Sequence, residues 1–297
     1  MAFNGVEPML LEPEYTKAEK LFYLDEQGRL RQILHLPSQQ FSNSPPLIVL
    51  TGPLLHPEFC SLHTLPWVKQ IRSNGQDIYF ITHRGHQSLA EETNPIHTSY
   101  AFEDIARTDI SNAIQSIQEH SGHRKFDLFG AGLGMILASF WMVQNGSSSI
   151  NQLHLYAPTH SIIPKNRYRL ALKVHSRIQI QSLWNYHLGF GALDEWLSNF
   201  SLQERSCLLN SNSWLDEDWI STLFDWQNHS QILLQHGVSL RQALPSLSQT
   251  SVNLYTTSNP SDTDWILSAF YEQRPKLHVI PDCVFPILHT NFTLKTL

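Results

Sequence analysis

The sequence is poor in cysteine and has no long apolar run. Three cysteines, Cys60, Cys207 and Cys283, are too few and too widely spaced for a disulfide framework, which favours a reducing compartment. No segment reaches the roughly 18 to 20 consecutive apolar residues that span a bilayer, and the N-terminal segment lacks the apolar centre of a signal peptide. We therefore expect a cytoplasmic protein without a membrane span.

Basic residues are scarce as well. Lys and Arg number 20 against 26 Asp and Glu, and charged residues make up only 15% of the chain. This balance argues against nucleic acid as a partner, because nucleic acid is held by clustered Lys and Arg. Apolar residues, at 41%, are typical of a globular protein with a sizeable core. A chain of 297 residues is long enough for one large domain with an inserted subdomain.

Short apolar runs alternate with helical patterns along most of the chain. After a hairpin over 21–36, the predicted strands cover residues 47–50, 77–81, 125–129, 152–158, 252–257 and 277–281. The predicted helices cover residues 65–73, 100–119 and a segment that starts just after 134. This alternation predicts an α/β fold, with a mostly parallel, twisted sheet and helices on both faces.

The alternation stops over residues 159–244, where Trp, Leu, Asn and Ser dominate and no strand is evident. We interpret this segment as an inserted helical cap, which divides the core into residues 1–158 and 245–297. Trp184 and Trp196 lie in the segment. They are candidates for the wall of a lipophilic pocket beneath the cap, although aromatic residues so spaced also form the plain core of a cap.

The predicted strand over 125–129 runs directly into the sequence GAGLG at 130–134 and then into a helix. Strand, sharp turn and helix are the layout of the nucleophile elbow, G-x-S-x-G. Both outer glycines are present, but Gly132 stands where a hydroxyl, thiol or carboxylate is expected. A phosphate-binding loop is the weaker interpretation, because the spacing is not G-x-G-x-x-G and no Lys-Ser/Thr pair follows.

Two motifs precede this elbow. Arg84-Gly85-His86 follows a predicted strand, and the pattern D-I-A-R-x-D occupies residues 104–109. In this order the segments resemble the α/β-hydrolase superfamily, most closely acid lipases, polyester-synthase-like hydrolases and related bacterial lipases. The resemblance covers residues 47–143. It implies an α/β-hydrolase fold and a catalytic triad in the chain order nucleophile, acid, histidine.

The same resemblance assigns the other two members of the triad. His289, after the last predicted strand, stands where the family has its base. The acid should follow the strand over 252–257. Asp262 is the first choice and Asp264 the alternative, whereas a strict alignment to the family's G-x-x-D pattern places Asn259 there and removes the acid. Both aspartates would otherwise cap the helix that follows them.

Two backbone N–H groups should form the oxyanion hole. Leu133, directly after the nucleophile position, supplies one of them. The other should follow the strand over 47–50, where Pro53 has no N–H to donate and Leu54, one residue later, has one. Ser139 is expected to face the helix packing, so it does not replace the missing nucleophile.

The sequence contains 16 histidines, two pairs of which have a spacing that suggests a metal site. The pairs are His83-x-x-His86 and His120-x-x-His123. Neither forms H-E-x-x-H, and no cysteine or acidic cluster completes a ligand set. We therefore predict no metal and no cofactor, and a structural role for His86 in its loop.

Gly132 determines the predicted function. Loss of a triad member costs about 10⁴ to 10⁶ in rate. We therefore predict a degenerate hydrolase, which either binds a small acyl- or lipid-like ligand or serves as the partner of another protein. The alternative is an active enzyme of the same fold, in which His289 with Asp262 or Asp264 activates water or abstracts a proton without a covalent intermediate. In a third interpretation, Gly132 is an inactivating replacement, natural or engineered, in a serine hydrolase.

Overall fold

The computed structural model describes residues 18–52, 55–57, 62–86, 101–156, 234, 237–244, 250–256, 270 and 275–279. Eight strands in these residues form one sheet. They are β1 (Glu19–Leu24), β2 (Leu30–Leu36), β3 (Leu47–Thr51), β4 (Ile78–Ile81), β5 (Phe126–Ala131), β6 (Ile150–Tyr156), β7 (Ser251–Thr256) and β8 (Lys276–Val279).

The described helices are α1 (Pro66–Ser73), α2 (Phe102–Asp104), α3 (Ser111–Ser121), α4 (Leu133–Asn145) and α5 (Leu240–Ala243). A short 3₁₀ turn, Leu62–Thr64, precedes α1, and a π-helical segment, Ile105–Ile110, joins α2 to α3. The helix predicted over 100–119 is therefore confirmed, whereas its π-helical segment was not predicted. Within the described residues, no helix has both the length and the apolar character needed to cross a membrane.

The strand order in the sheet is β1-β2-β4-β3-β5-β6-β7-β8. β2 is antiparallel to both of its neighbours, β1 and β4, and every other pair of neighbours is parallel. The predicted N-terminal hairpin and the predicted mostly parallel sheet are thus confirmed. Because β3 to β8 run in one direction, their carboxyl ends share one edge of the sheet, which we call the carboxyl edge. The opposite edge is the amino edge.

The central strands are buried along their whole length and mostly apolar. Every residue of β3, β4 and β5 is buried, and Leu47–Leu50 have no exposed surface. A parallel strand that is covered on both sides has this continuous apolar pattern rather than an alternating one. The outer strands differ, since Phe22 of β1 and Val279 of β8 are exposed.

The bounds of β5 and α4 differ from the predicted ones at the elbow. β5 extends two residues beyond the predicted end, so Gly130 and Ala131 belong to the sheet, and α4 begins at Leu133 rather than after Gly134. The turn between strand and helix is therefore the single residue Gly132. All residues of α4 from Leu133 to Met142 are buried, which explains the unbroken apolar sequence of this helix.

Most of the predicted cap lies outside the described residues, as do Trp184 and Trp196. Of that segment, α5 is described, and its Leu240 belongs to the same hydrophobic cluster as the buried side chains of α4. The cap, the domain bounds at 158 and 245, and the placement of helices on both faces of the sheet stay predictions.

Candidate functional site

The topology of the sheet marks one place at the carboxyl edge. β3 lies between β4 and β5, so the chain leaves β3 towards one side of the sheet and later returns to its other side. In open α/β sheets, ligands bind in the crevice at such a switch point, outside the carboxyl ends of the strands. Thr51 at the end of β3 pairs with Ala131 at the end of β5. Gly52 and Gly132, the next residues of each chain segment, therefore lie at this point.

Gly132 has the backbone conformation of a sharp strand-to-helix turn. Its φ is 58° and its ψ is −122°, a combination that glycine adopts freely and that is strained for residues with a side chain. Its N–H donates to the carbonyl of Tyr156 in β6 (3.2 Å), and its carbonyl accepts from the N–H of Met135 (3.0 Å). The turn is therefore fixed on both sides by backbone hydrogen bonds.

The three glycines of the turn have different steric surroundings. A Cβ on Gly134 would lie 2.1 Å from the carbonyl oxygen of Leu50, and a Cβ on Gly130 would lie 2.7 Å from the Cα of Met135. Both contacts are with backbone atoms, so the close packing of α4 against the sheet requires glycine at 130 and 134. Among the residues that the structure describes, a Cβ on Gly132 would meet nothing within 4 Å. Crowding by these residues therefore does not explain the glycine at 132.

Leu133 is the first residue of α4. The first four N–H groups of a helix have no partner within the helix, so the Leu133 N–H is of the kind that can serve a ligand at the turn. The end of β3 lies directly against it, because a Cβ on Gly52 would be 2.5 Å from the Cβ of Leu133. Pro53 and Leu54 lie outside the described residues, so the second oxyanion donor stays a prediction.

Two buried histidines hold the end of β3 against the elbow. Nε2 of His83 donates to the carbonyl of Thr51 (3.0 Å), and Nε2 of His86 donates to the carbonyl of Gly52 (2.7 Å). The other ring nitrogens accept hydrogen bonds, His83 Nδ1 from the N–H of Gly85 (3.1 Å) and His86 Nδ1 from the N–H of His83 (3.3 Å). Each ring therefore donates once and accepts once, which identifies it as neutral imidazole.

Burial stabilises this neutral form. It lowers the pKa of His83 to about 3, and burial together with the neighbouring His83 and His56 lowers the pKa of His86 well below its ordinary value. Because all four ring nitrogens of His83 and His86 serve these hydrogen bonds, this pair is not arranged to bind a metal ion. The sequence predicts a structural role for His86, and the hydrogen bonds of its ring to backbone groups are of that kind. The equivalent role of His83 was not predicted.

An ion pair joins the Arg-Gly-His motif to the helix of the second motif. Arg84 Nε lies 2.9 Å from Asp109 Oδ1, and both side chains are almost fully buried. Arg84 also donates its backbone N–H to Asp109 Oδ2 (2.9 Å) and its guanidinium to the carbonyl of Asp104 (3.1 Å) and to the hydroxyl of Thr108 (2.7 Å). The two motifs are thus one structural unit, which anchors the segment that carries His83 and His86.

The remaining predicted residues are distributed as follows. His289, Asp262, Asp264 and Asn259 lie outside the described residues, so the triad stays a prediction. β7 ends at Thr256, so the segment that should carry the acid leaves the sheet at the carboxyl edge, where the elbow also lies.

Two other side chains take no part in this site. His278 lies within β8, where its Nε2 is 3.2 Å from Oδ1 of Asn253. Ser139 is buried in α4 and donates its hydroxyl to the carbonyl of Met135 (2.9 Å), as expected for a side chain that faces the helix packing.

No protein-family model and no curated protein matches the sequence. Solved structures do match. Carboxylesterase CesB of Bacillus subtilis aligns over 90% of this chain and 85% of its own, with a TM-score of 0.56 at 14% identity. A thermostable carboxyl esterase of Bacillus coagulans aligns over 90% of this chain and 91% of its own, with a TM-score of 0.56 at 10% identity. The enol-lactonase of Burkholderia xenovorans LB400 aligns over 90% of this chain and 93% of its own, with a TM-score of 0.54 at 10% identity.

The chain has the α/β-hydrolase fold. Identities of 10% to 14% extend to the fold alone, so no substrate follows from these neighbours. In an α/β-hydrolase fold, the turn after the fifth strand described here is the place of the nucleophile elbow. The fold and the backbone of Gly132 therefore agree on the location of the candidate site.

Proposed function

We propose that this chain is a catalytically inactive relative of the acid lipases and polyester-synthase-like hydrolases, and that it binds a small acyl- or lipid-like ligand above Gly132. The observation that carries the proposal is an elbow whose backbone is intact and whose central residue has no side chain. Without a nucleophile, acyl transfer loses about 10⁴ to 10⁶ in rate.

The features that remain suit an oxygen-bearing ligand. The Leu133 N–H opens α4, whose N-terminus carries partial positive charge and favours a carbonyl or carboxylate oxygen. Backbone donors of this kind are effective when they are held rigidly. The hydrogen bonds from His83 and His86 hold the neighbouring end of β3 in that way. Trp184 and Trp196 of the predicted cap would supply apolar surface for an acyl chain.

The test combines turnover, covalent labelling and binding. The purified protein is assayed with p-nitrophenyl esters of acetate, butyrate and octanoate and with a fluorescent fluorophosphonate, and octanoate binding is measured by calorimetry. We expect no ester turnover above the uncatalysed rate, no label, and saturable binding of octanoate. Turnover of these esters at ordinary enzyme rates would refute the inactive state, and absence of octanoate binding would refute the proposed ligand.

Gly132→Ser is the informative variant, because a Cβ at 132 meets no atom of the described residues within 4 Å. If His289 and an acid stand at the site, the new hydroxyl should react with the fluorophosphonate, while wild type does not. Gly122→Ser, which also places a serine at a positive φ without a close contact, is the matched control and should not react.

An active enzyme without a covalent intermediate is the second candidate, favoured by neighbours whose names are esterase and lactonase. In that case His289 with Asp262 or Asp264 acts as a base. This candidate predicts an activity that fluorophosphonates leave untouched and that His289→Ala abolishes. A binding role towards another protein would instead be supported if cap side chains filled the space above Gly132.

A further inference from the structure

We propose that Glu19, His35 and His120 form a zinc site at the amino edge of the sheet, remote from the elbow. In the sequence His120 lies three residues before His123, whereas in the fold it lies close to Glu19 and His35, about a hundred positions earlier in the chain. The ion would join β1 and β2 to the end of α3. This proposal does not depend on the proposed function.

The three side chains are gathered at coordinating distance. One carboxylate oxygen of Glu19 and one nitrogen of each imidazole lie within 4.8 Å of one another, the one such group of His, Cys, Asp and Glu found in the described part of the chain. Oε2 of Glu19 lies 3.0 Å from Nδ1 of His35. The rings of His35 and His120 stand edge to face, with their centroids 5.0 Å apart.

Each histidine has a partner on its second ring nitrogen. Nε2 of His35 lies 3.1 Å from Oδ2 of Asp77, and Nδ1 of His120 lies 3.1 Å from the hydroxyl of Tyr79. Histidines that bind zinc almost always donate their other N–H to a carboxylate or another oxygen, which fixes the ring and its tautomer. Nδ1 of His35, on the side of Glu19, and Nε2 of His120, opposite its contact with Tyr79, are the two nitrogens that would bind the ion.

The sheet register explains why these residues meet. Glu19 pairs with His35 across β1 and β2, and His35 pairs with Tyr79 across β2 and β4, so the three side chains share one face in a row. Tyr79 stacks on His35 with ring centroids 4.4 Å apart. His120 is in the last turn of α3, which ends just before β5 begins at the same edge of the sheet.

The ligand set favours zinc over magnesium and calcium. Two imidazoles and one carboxylate suit Zn²⁺, and they do not suit Mg²⁺ or Ca²⁺, which prefer oxygen ligands. His35 is buried, whereas Glu19 and His120 are exposed, so water can take the fourth position of the tetrahedron. Without an ion, hydrogen bonds from His35 to the carboxylates of Glu19 and Asp77 would explain the position of His35. They would not explain why His120, which is held by Tyr79, has its ring against His35.

The position of the site indicates what the ion does. Asp77 and Tyr79 are at the amino end of β4, so the site lies at the edge opposite Gly132. An ion there would hold β1, the outermost strand, against α3, and would stabilise the fold because its ligands come together only in the folded chain.

The experiment uses untagged full-length protein that has been treated with a chelator and dialysed. Zinc binding is measured by calorimetry, Co²⁺ binding by its visible absorption, and the thermal midpoint with and without zinc. We expect one equivalent of zinc, the intense visible bands of tetrahedral Co²⁺, and a midpoint that rises with zinc. Glu19→Gln and His120→Ala change exposed side chains, and each should weaken zinc binding at least about tenfold.

Two further variants separate this site from other histidines. Tyr79→Phe removes only the hydroxyl that orients His120 and should weaken zinc binding about 10- to 100-fold. His123→Ala, three residues from His120, is the matched control and should bind zinc as wild type does. The proposal is overturned if wild type shows no saturable binding, if His120→Ala binds like wild type, or if His123→Ala loses as much affinity as His120→Ala. None of these results bears on ligand binding above Gly132.

Discussion

Gly132→Ala tests the backbone on which the candidate site rests. At φ 58° and ψ −122°, a residue with a Cβ carries strain of about 1 to 3 kcal/mol. The new methyl group meets no atom of the described residues within 4 Å, so packing against them does not offset this strain. Alanine also reduces the conformational freedom of the unfolded chain, which stabilises the folded state by about 0.4 to 1 kcal/mol. We therefore expect a net destabilisation of roughly 0.5 to 2 kcal/mol.

Substitutions of two other glycines provide a lower and an upper comparison for this destabilisation. Gly122, which follows α3, has φ 71° and ψ 1° and likewise has nothing within 4 Å of its Cβ position. This left-handed helical region is less strained, so Gly122→Ala should destabilise the protein by about 1 kcal/mol or less. Gly134→Ala places a methyl group 2.1 Å from the Leu50 carbonyl and should cost about 3 kcal/mol or more, enough to impair folding.

The assay is urea unfolding of wild type and the three variants, followed by circular dichroism and tryptophan fluorescence. The predicted order of destabilisation is Gly134→Ala, then Gly132→Ala, then Gly122→Ala, with unchanged denaturant dependence in the last two. A Gly132→Ala variant as stable as wild type, or more stable, would refute the reasoning, because the residue would then not be held at a positive φ.

Three other outcomes are expected. His83 and His86 have lowered pKa values, so the unfolded chain binds protons that the folded chain does not, and stability should fall as the pH drops below about 6.5, by roughly 1.4 kcal/mol per pH unit for each histidine. For His83, whose pKa is lowered to about 3, this loss continues to about pH 3, and equal urea midpoints at pH 7 and pH 5 would contradict the prediction. Asp109→Ala leaves Arg84 buried without its main partner and should lower the free energy of unfolding in urea by about 3 to 5 kcal/mol. The double variant Asp109→Ala/Arg84→Met should regain most of this free energy, because it removes the unpaired charge. Zinc should raise the thermal midpoint of wild type and leave that of His120→Ala unchanged.

The order of strands and helices could be predicted because each buried strand is a bare apolar run between turn residues. The end of β5 could not, since Gly130 and Ala131 have a turn composition and their place in the sheet depends on pairing with β3 and β6. The π-helical segment could not be predicted from the sequence either. It contains Asp109, whose ion-pair partner Arg84 lies in a separate segment of the chain.

The elbow could be predicted because its glycines are local, contiguous and placed between a strand and a helix. For His86 only a structural role in its loop could be predicted, and for His83 no role, because their partners, Gly52 and Thr51, lie more than thirty residues earlier. The cluster of Glu19, His35 and His120 was missed for the same reason. That these residues lie together follows only from the register of β1, β2 and β4, whereas the sequence offered His120 only with His123, a pair that does not complete a ligand set.

The shape of the elbow and its chemistry depend on different residues. Gly130 and Gly134 are required by backbone contacts below 3 Å, so the close approach of α4 to β3 and β5 keeps the turn sharp whatever residue stands at 132. In an active hydrolase, the nucleophile at that turn is strained, and the fold must tolerate about 1 to 3 kcal/mol for it. Glycine removes the strain, and under the proposed function it removes the reaction as well. Gly132→Ser should therefore lower stability by about as much as Gly132→Ala, and any fluorophosphonate label it acquires reports on His289 rather than on the shape of the turn.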